Sequence, residues 1–192
     1  DVTTGSGRIA DHPWCELGLL HYLDDGRPAD HHLVLLDDVL TAFPDAFVNI
    51  DVKTDDAVAG TVELLRRHDA RDRVCVAAFG WRRLRRIRRA LGPGWCSATS
   101  QPEIVALRAA SWLRLPIPRV ADVVQLPRSK SGVVLVDRAL VERCHRSGVA
   151  VHVWTVNDDA EMRELRSFGV DAIITDRPGA AVETLSGDGS AP

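Results

Sequence analysis

Six short runs of β-branched and apolar residues recur along the chain: FVNIDV from residue 47, VCVAAF from 74, WCSAT from 95, DVVQL from 122, VAVHVWTV from 149 and DAIIT from 171. They lie roughly 20 to 30 residues apart, about one strand-and-helix unit each. Helical patterns fill the gaps. DDAVAGTVELLRRH is opened by Thr54 or Asp55, DRALVERCHRSG by Asp137, and DDAEMRELRSFG by Asn157 or Asp158; the last two stop at Gly148 and Gly169, where a left-handed C-cap is expected. Strands that are apolar throughout and alternate with helices predict a parallel sheet covered by helices, either an open doubly wound sheet or a (β/α)8 TIM barrel. No GxGxxG follows a strand, so the dinucleotide-binding version lacks its usual mark.

A barrel needs eight such units, and six follow residue 46. Residues 1–46 offer a turn-rich segment and the helix-like LVLLDDVLTAF. If the fold is a barrel, its first two strands are expected to be missing from this chain. Residue 1 is Asp and the only methionine is Met162, which reads as a processed, excised or partial chain. The 192 residues suffice for one domain, taken as 1–186, with the small-residue tail 187–192 expected to be disordered.

A net charge of -3 gives no electrostatic reason to expect nucleic acid, and no apolar run approaches the roughly 20 residues that span a bilayer. Cys15, Cys75, Cys96 and Cys144 are scattered without metal-binding spacing, which fits reduced thiols and a cytoplasmic setting. The expected partner is a small molecule.

Side chains alternate faces along FVNIDVK, so Val48, Ile50 and Val52 share one side and Asn49, Asp51 and Lys53 the other. The first side suits a helix layer. In a barrel the second points inward, with Asp51 and Lys53 rising toward the carboxyl-terminal mouth, where active sites are built. An Asp/Lys ion pair at the strand end explains the same residues equally well. A second candidate is VHVWTVND, residues 151–158, which gathers an aromatic, a hydroxyl and an amide at a strand end. Core packing of Trp154 and helix capping by Asn157 are the simpler accounts there. In DAIITDRP, Asp176 caps the final helix or shapes a pocket, and Pro178 suits that helix's first turn.

WRRLRRIRRALG sets Leu84, Ile87 and Leu91 as a buried stripe with arginines around it; a solvated outer face is the main reading, contact with lipid headgroups or phosphate-rich partners the lesser. The seven histidines show no HxxxH or HxH spacing; His152 shares parity with Trp154, where packing is the simpler account.

Taken together and in order, TTGSGRIAD, NIDVK, AAF, HVWTVND and GVDAIITDRP resemble the glycerophosphodiester phosphodiesterase family, a (β/α)8 barrel of the phospholipase-C-like type. The resemblance covers most of the chain. It implies hydrolysis of a glycerophosphodiester to glycerol 3-phosphate and an alcohol, with Ca2+ or Mg2+ as the divalent metal. Asp51 stands where the family places a metal carboxylate and Lys53 where it places a phosphate-contacting, catalytic lysine. Phe79, Trp154 and Asn157 stand at expected substrate-binding positions. Two departures are Asp51 for the usual Glu and Ala78 for the usual Ser. The family's two histidines and its Glu-x-Asp have no counterpart here, so the chain alone is expected to be inactive. The rival expectation is a noncatalytic barrel relative that binds a phosphorylated metabolite or partner, with Asp51 and Lys53 as a structural pair.

Overall fold

The structure, a computed structural model, describes residues 3–186, so the expected tail at 187–192 lies outside the described residues. The chain divides into two compact units at Ala46/Phe47.

In the first unit a one-turn helix α1 (Trp14–Leu17) precedes an antiparallel hairpin of β1 (His21–Asp24) and β2 (Arg27–His32), and α2 (Leu36–Ala42) follows. The hairpin turns on Asp25 and Gly26, whose φ angles of 46° and 76° are those of a two-residue turn matched to strand twist. The turn-rich reading of this segment is thus a hairpin, and the helix read in LVLLDDVLTAF is α2.

The second unit carries the parallel strands. In chain order come β3 (Val48–Asp51), α3 (Ala57–Arg67), β4 (Val74–Ala77), α4 (Trp81–Leu91), β5 (Cys96–Ser97), α5 (Gln101–Trp112) and β6 (Val123–Pro127). A small antiparallel pair, β7 (Ser129–Lys130) and β8 (Val133–Val134), interrupts the alternation. Then follow α6 (Arg138–Arg146), β9 (Ala150–Trp154), α7 (Asp159–Phe168), β10 (Ala172–Ile173) and α8 (Pro178–Ser186). Each of the six apolar runs is a parallel strand. Two three-stranded sheets, β3-β4-β5 and β6-β9-β10, are joined by a parallel bridge from Ala98 to Val123 and by Thr99 N–H donating to Val123 O at 2.8 Å. The strands therefore lie side by side in chain order, as in a barrel wall. Among the described residues no ladder links β10 back to β3, so the six parallel strands read from the sequence form an open wall and no closed barrel is seen.

Alternation sorts the strand residues. Val76, Val124, Leu126, Val151 and Val153 are at most 1% exposed, and face a helix layer that supplies Leu65, Leu84, Ile87, Leu140, Met162 and Leu165, all similarly buried. The other face carries Asn49, Cys75, Gln125 and His152, in register across their strands. Gln125 Nε2 donates to Asn49 Oδ1 at 2.9 Å. The two residues sit on β6 and β3, three strand spacings apart, about 14 Å in a flat sheet. Side chains of this length meet only if the wall curves and both point into its concave side.

The helix starts refine the sequence reading. Asp137 caps α6 as expected, accepting from Leu140 N–H at 2.7 Å, and Gly169 ends α7 with a left-handed φ of 88°. Asp158, not Asn157, caps α7, accepting from Glu161 N–H at 2.8 Å. Neither Thr54 nor Asp55 caps α3: it starts at Ala57, and Asp55 instead accepts from Arg83 Nε at 2.8 Å. The buried stripe of α4 is as expected, but its arginines are not all outward. Arg88 is partly buried and donates to Ser97 Oγ at 2.9 Å, Glu103 Oε1 at 2.8 Å and Ala98 O at 2.8 Å, tying α4 to the start of α5.

Candidate active site at the strand ends

Asp51 ends β3, and Val52 N–H donates to Ala77 O at 2.9 Å, so the β3–β4 pairing continues one step beyond the acid. That fixed backbone sets Asp51 and Lys53 on the concave side. Lys53 Nζ donates to Asp51 Oδ2 at 2.5 Å, with the lysine 70% exposed and the acid 28%. The ammonium is therefore in solvent at the rim and the carboxylate is tucked below it. Asp51 Oδ1 is buried and has no hydrogen-bond partner. A buried carboxylate oxygen without a donor is costly, and a cation or a donor from a ligand would offset that cost.

Lys53 Nζ lies 5.0 Å from the centre of the Phe79 ring, and Phe79 meets Trp154 edge to face at 5.7 Å between ring centres. Phe79 follows β4 and Trp154 ends β9; the Trp154–Thr155 peptide bond is cis. Four of the five candidate residues, Asp51, Lys53, Phe79 and Trp154, are thus linked in one contact chain across the carboxyl-terminal ends of three strands. Ala78 is 3% exposed, on the opposite face of its strand, packed toward the helices.

Asn157 is engaged elsewhere. Its Oδ1 accepts from Thr175 Oγ1 and Asp176 N–H, and its Nδ2 donates to Asp176 Oδ2, each at 2.9 Å. Arg177 Nη1 donates to Asn157 O at 2.8 Å. Every polar atom of the Asn157 amide is used in holding the Thr-Asp-Arg segment against the end of β9. The partner of Asp176 is Asn157.

Below the rim, Gln125 forms a polar layer that sequence reasoning missed. A lone amide inside an apolar strand, at the parity later shared by His152, was the available signal. Gln125 Nε2 also lies 3.4 Å from His152 Nδ1. With one amide hydrogen on Asn49 and the other toward His152, Nδ1 accepts and the ring is the neutral Nε2–H tautomer. Burial pushes the His152 pKa below its usual range, against an opposing pull from Asp171. Among the described histidines of this unit, His152 alone stands on the concave face of a strand.

Two thiols face each other in the same layer. Cys75 and Cys96 are register partners on β4 and β5. The neighbouring Cys96 thiol together with burial raises the Cys75 pKa strongly, while the neighbouring Cys75 thiol lowers that of Cys96.

Among the described residues no group of three His, Cys, Asp or Glu side chains gathers to hold a metal ion. Ca2+ and Mg2+ take six or more oxygen ligands, waters included. Asp51 offers one fitting oxygen, so these residues supply one ligand rather than a metal centre. No helix of the described residues is long and apolar enough to cross a membrane.

Similarity to known proteins bears on the family and the fold. A model of the glycerophosphoryl diester phosphodiesterase family matches residues 1–180. Over 157 residues the chain is 38% identical to the protein named Probable glycerophosphodiester phosphodiesterase 2 of Mycobacterium tuberculosis, an alignment covering 78% of this chain and 58% of that protein. The chain thus spans less than two thirds of that relative. Among solved structures, it superposes on a glycerophosphoryl diester phosphodiesterase domain from Mycobacterium tuberculosis with a TM-score of 0.78 at 17% identity, covering 95% of this chain and 78% of the other. It also superposes on an Oleispira antarctica phosphodiesterase in complex with the product sn-glycerol-3-phosphate, with a TM-score of 0.70 at 20% identity, covering 96% and 75%. At these identities the structures speak for fold, a TIM-barrel-like α/β architecture, and the family match speaks for descent. The chain belongs to the glycerophosphoryl diester phosphodiesterase family.

Proposed function

We propose that this chain forms the substrate-binding half of a phosphoric diester hydrolase site that cleaves glycerophosphodiesters to glycerol 3-phosphate and an alcohol. The observation that carries the proposal is the contact chain Asp51–Lys53–Phe79–Trp154 at the strand ends. Lys53, mostly exposed at the rim, supplies a mobile cation for a phosphate oxygen and for charge that develops as the ester bond breaks. The Phe79 and Trp154 rings give an apolar wall against which glycerol carbons pack. The Oleispira antarctica phosphodiesterase of similar fold, solved with sn-glycerol-3-phosphate, supports a ligand of this class.

Asp51 serves two ends. Its Oδ2 holds Lys53 in place until a phosphate competes for the ammonium, and its unpartnered Oδ1 is a hard oxygen suited to one position on a Ca2+ or Mg2+ ion. Such an ion, when bound, neutralises phosphate charge. General acid-base transfer needs groups within hydrogen-bond reach of the reacting oxygens. On β9 the nearest imidazole in sequence to Trp154 is His152, and it is committed to Gln125. We therefore expect the 192-residue chain alone to turn over glycerophosphocholine no faster than buffer.

The test is calorimetric titration of the chain with sn-glycerol 3-phosphate, alongside Lys53→Met. Loss of a charge-assisted contact of about 1.5–3 kcal/mol weakens binding by roughly tenfold or more in the variant. Equal affinity of the two proteins removes Lys53 from the site. The rival reading, a noncatalytic relative with a structural Asp51–Lys53 pair, gains if Lys53→Met lowers the melting temperature and leaves ligand affinity untouched.

A further inference from the structure

We propose that the outer face of α4 docks on the anionic headgroups of a phospholipid surface. The inward stripe of this helix, Leu84, Ile87 and Leu91, is at most 7% exposed against the sheet. The opposite side presents Arg82, Arg85, Arg86 and Arg89, all exposed and spaced i, i+3, i+4, i+7, which puts them in one row. The helix carries no carboxylate. Of its remaining arginines, Arg83 pairs with Asp55 and Arg88 with Glu103, while no ion pair among the described residues engages any of the four in the row.

The charge extends beyond the helix. From Arg66 to Arg89 the chain holds ten arginines against Asp69 and Asp72, in a protein whose net charge is -3. Of these, the four of the row are exposed and outside the ion pairs of the described residues, so their charge gathers on the outer face of α4. α3 packs beside α4 and ends in the exposed Arg66, whose Nη2 donates to Ala90 O at the end of α4 and adds its charge beside the row. A patch of this density attracts an anionic surface and is screened by salt.

Aromatic residues favour a lipid partner over nucleic acid. Trp81, the first residue of α4, is 47% exposed with the Arg82 guanidinium over its ring at 5.6 Å, and Phe79 two residues earlier is 45% exposed. An amphipathic indole and an apolar ring beside a cationic row suit the headgroup boundary. A nucleic-acid strand would instead be tracked by rings interleaved among the cations, and within α4 the row carries no ring beyond Trp81. Because α4 starts directly after the strand end that bears Phe79, docking brings the rim carrying Lys53 alongside the surface. A glycerophosphodiester is a phospholipid stripped of both acyl chains, so the reaction class that supplies it is ester hydrolysis at that same surface. This last point rests on the proposed function; the docking itself does not.

The experiment is co-sedimentation of the chain with vesicles of phosphatidylcholine alone and of phosphatidylcholine mixed with phosphatidylglycerol, with circular dichroism as the check of folding. Binding to the mixed vesicles only, weakened by added salt, is expected. The fourfold variant R82Q/R85Q/R86Q/R89Q is expected to lose at least about tenfold in partition, while the fourfold Arg→Lys variant keeps it. Equal binding to both vesicle types, an unaffected Gln variant, or tighter binding to a DNA duplex than to the anionic vesicles would overturn the proposal.

Discussion

Gln125 and Asn49 are joined by a 2.9 Å hydrogen bond across the concave face of the parallel wall, from β6 to β3, over 76 positions of sequence. The bond ties strands that share no ladder. Gln125 is 9% exposed while Asn49 is exposed, so replacing Gln125 removes the bond without stranding a buried acceptor. Gln125→Leu is expected to lower stability by about 0.5–1.5 kcal/mol, measured as a shift in the urea midpoint. An unchanged midpoint would mean that the curvature does not depend on this bond.

The same amide governs His152. Its folded pKa is depressed, so the unfolded chain binds the proton more readily. Stability held above the unfolded value, about 6.5, is lost as pH falls through the folded value. Titration of the imidazole resonances by NMR should place His152 below the usual imidazole value, and Gln125→Leu, which removes the hydrogen aimed at Nδ1, should change its titration. A His152 that titrates at or above the usual imidazole value would contradict its burial as the dominant influence.

Arg108, 5% exposed, depends on Asp137, with Nη2 to Oδ2 at 2.5 Å, and the same carboxylate caps α6. Burial raises the Asp137 pKa, but hydrogen bonds from Arg108 and Leu140 outweigh it and the net shift is downward. Its contribution is therefore present above the unfolded pKa and is lost as pH falls through the folded value. Asp137→Ala leaves a buried guanidinium short of its partner and a helix without its cap. A cost of about 2–3 kcal/mol is expected by thermal or chemical unfolding, discounted for the exposure of the carboxylate. The difference between the two proteins should shrink in acid.

Thiol reactivity separates the cysteines of the second unit. Cys96, with its pKa lowered by the Cys75 thiol, should be alkylated ahead of Cys144, which burial pushes up to about 11, and ahead of Cys75. Peptide mass spectrometry after brief iodoacetamide treatment gives the order. Cys75→Ala removes the neighbouring thiol and should slow Cys96.

The strands were legible because β-branched runs between capped helices leave few alternatives to a helix-covered parallel sheet. The hairpin of β1 and β2 was not, since Pro28, Asp30, His31 and His32 give it neither alternation nor an apolar face, and only Asp25-Gly26 marked the turn. At the start of α7 two adjacent polar residues could each cap. The choice of Asp158 follows from the distant Thr175–Arg177 segment, which claims Asn157 and is invisible to local reading. Alternation placed Asp51 and Lys53 on one face, yet their contact with Phe79, and through it with Trp154, depends on curvature set by pairing across the sheet. Arg88 shows the complementary limit: a long side chain can start on a helix flank and end buried among Ser97, Ala98 and Glu103.

The central claim is that Asp51, Lys53, Phe79 and Trp154 form one phosphodiester-binding cluster. Chemical-shift mapping of the isotopically labelled chain during titration with sn-glycerol 3-phosphate tests it most directly. The expected result is saturable perturbation of the Trp154 indole, the Phe79 ring and the Lys53 side chain, abolished in Lys53→Met. Perturbation centred instead on the outer arginines of α4, or its persistence in Lys53→Met, would contradict it.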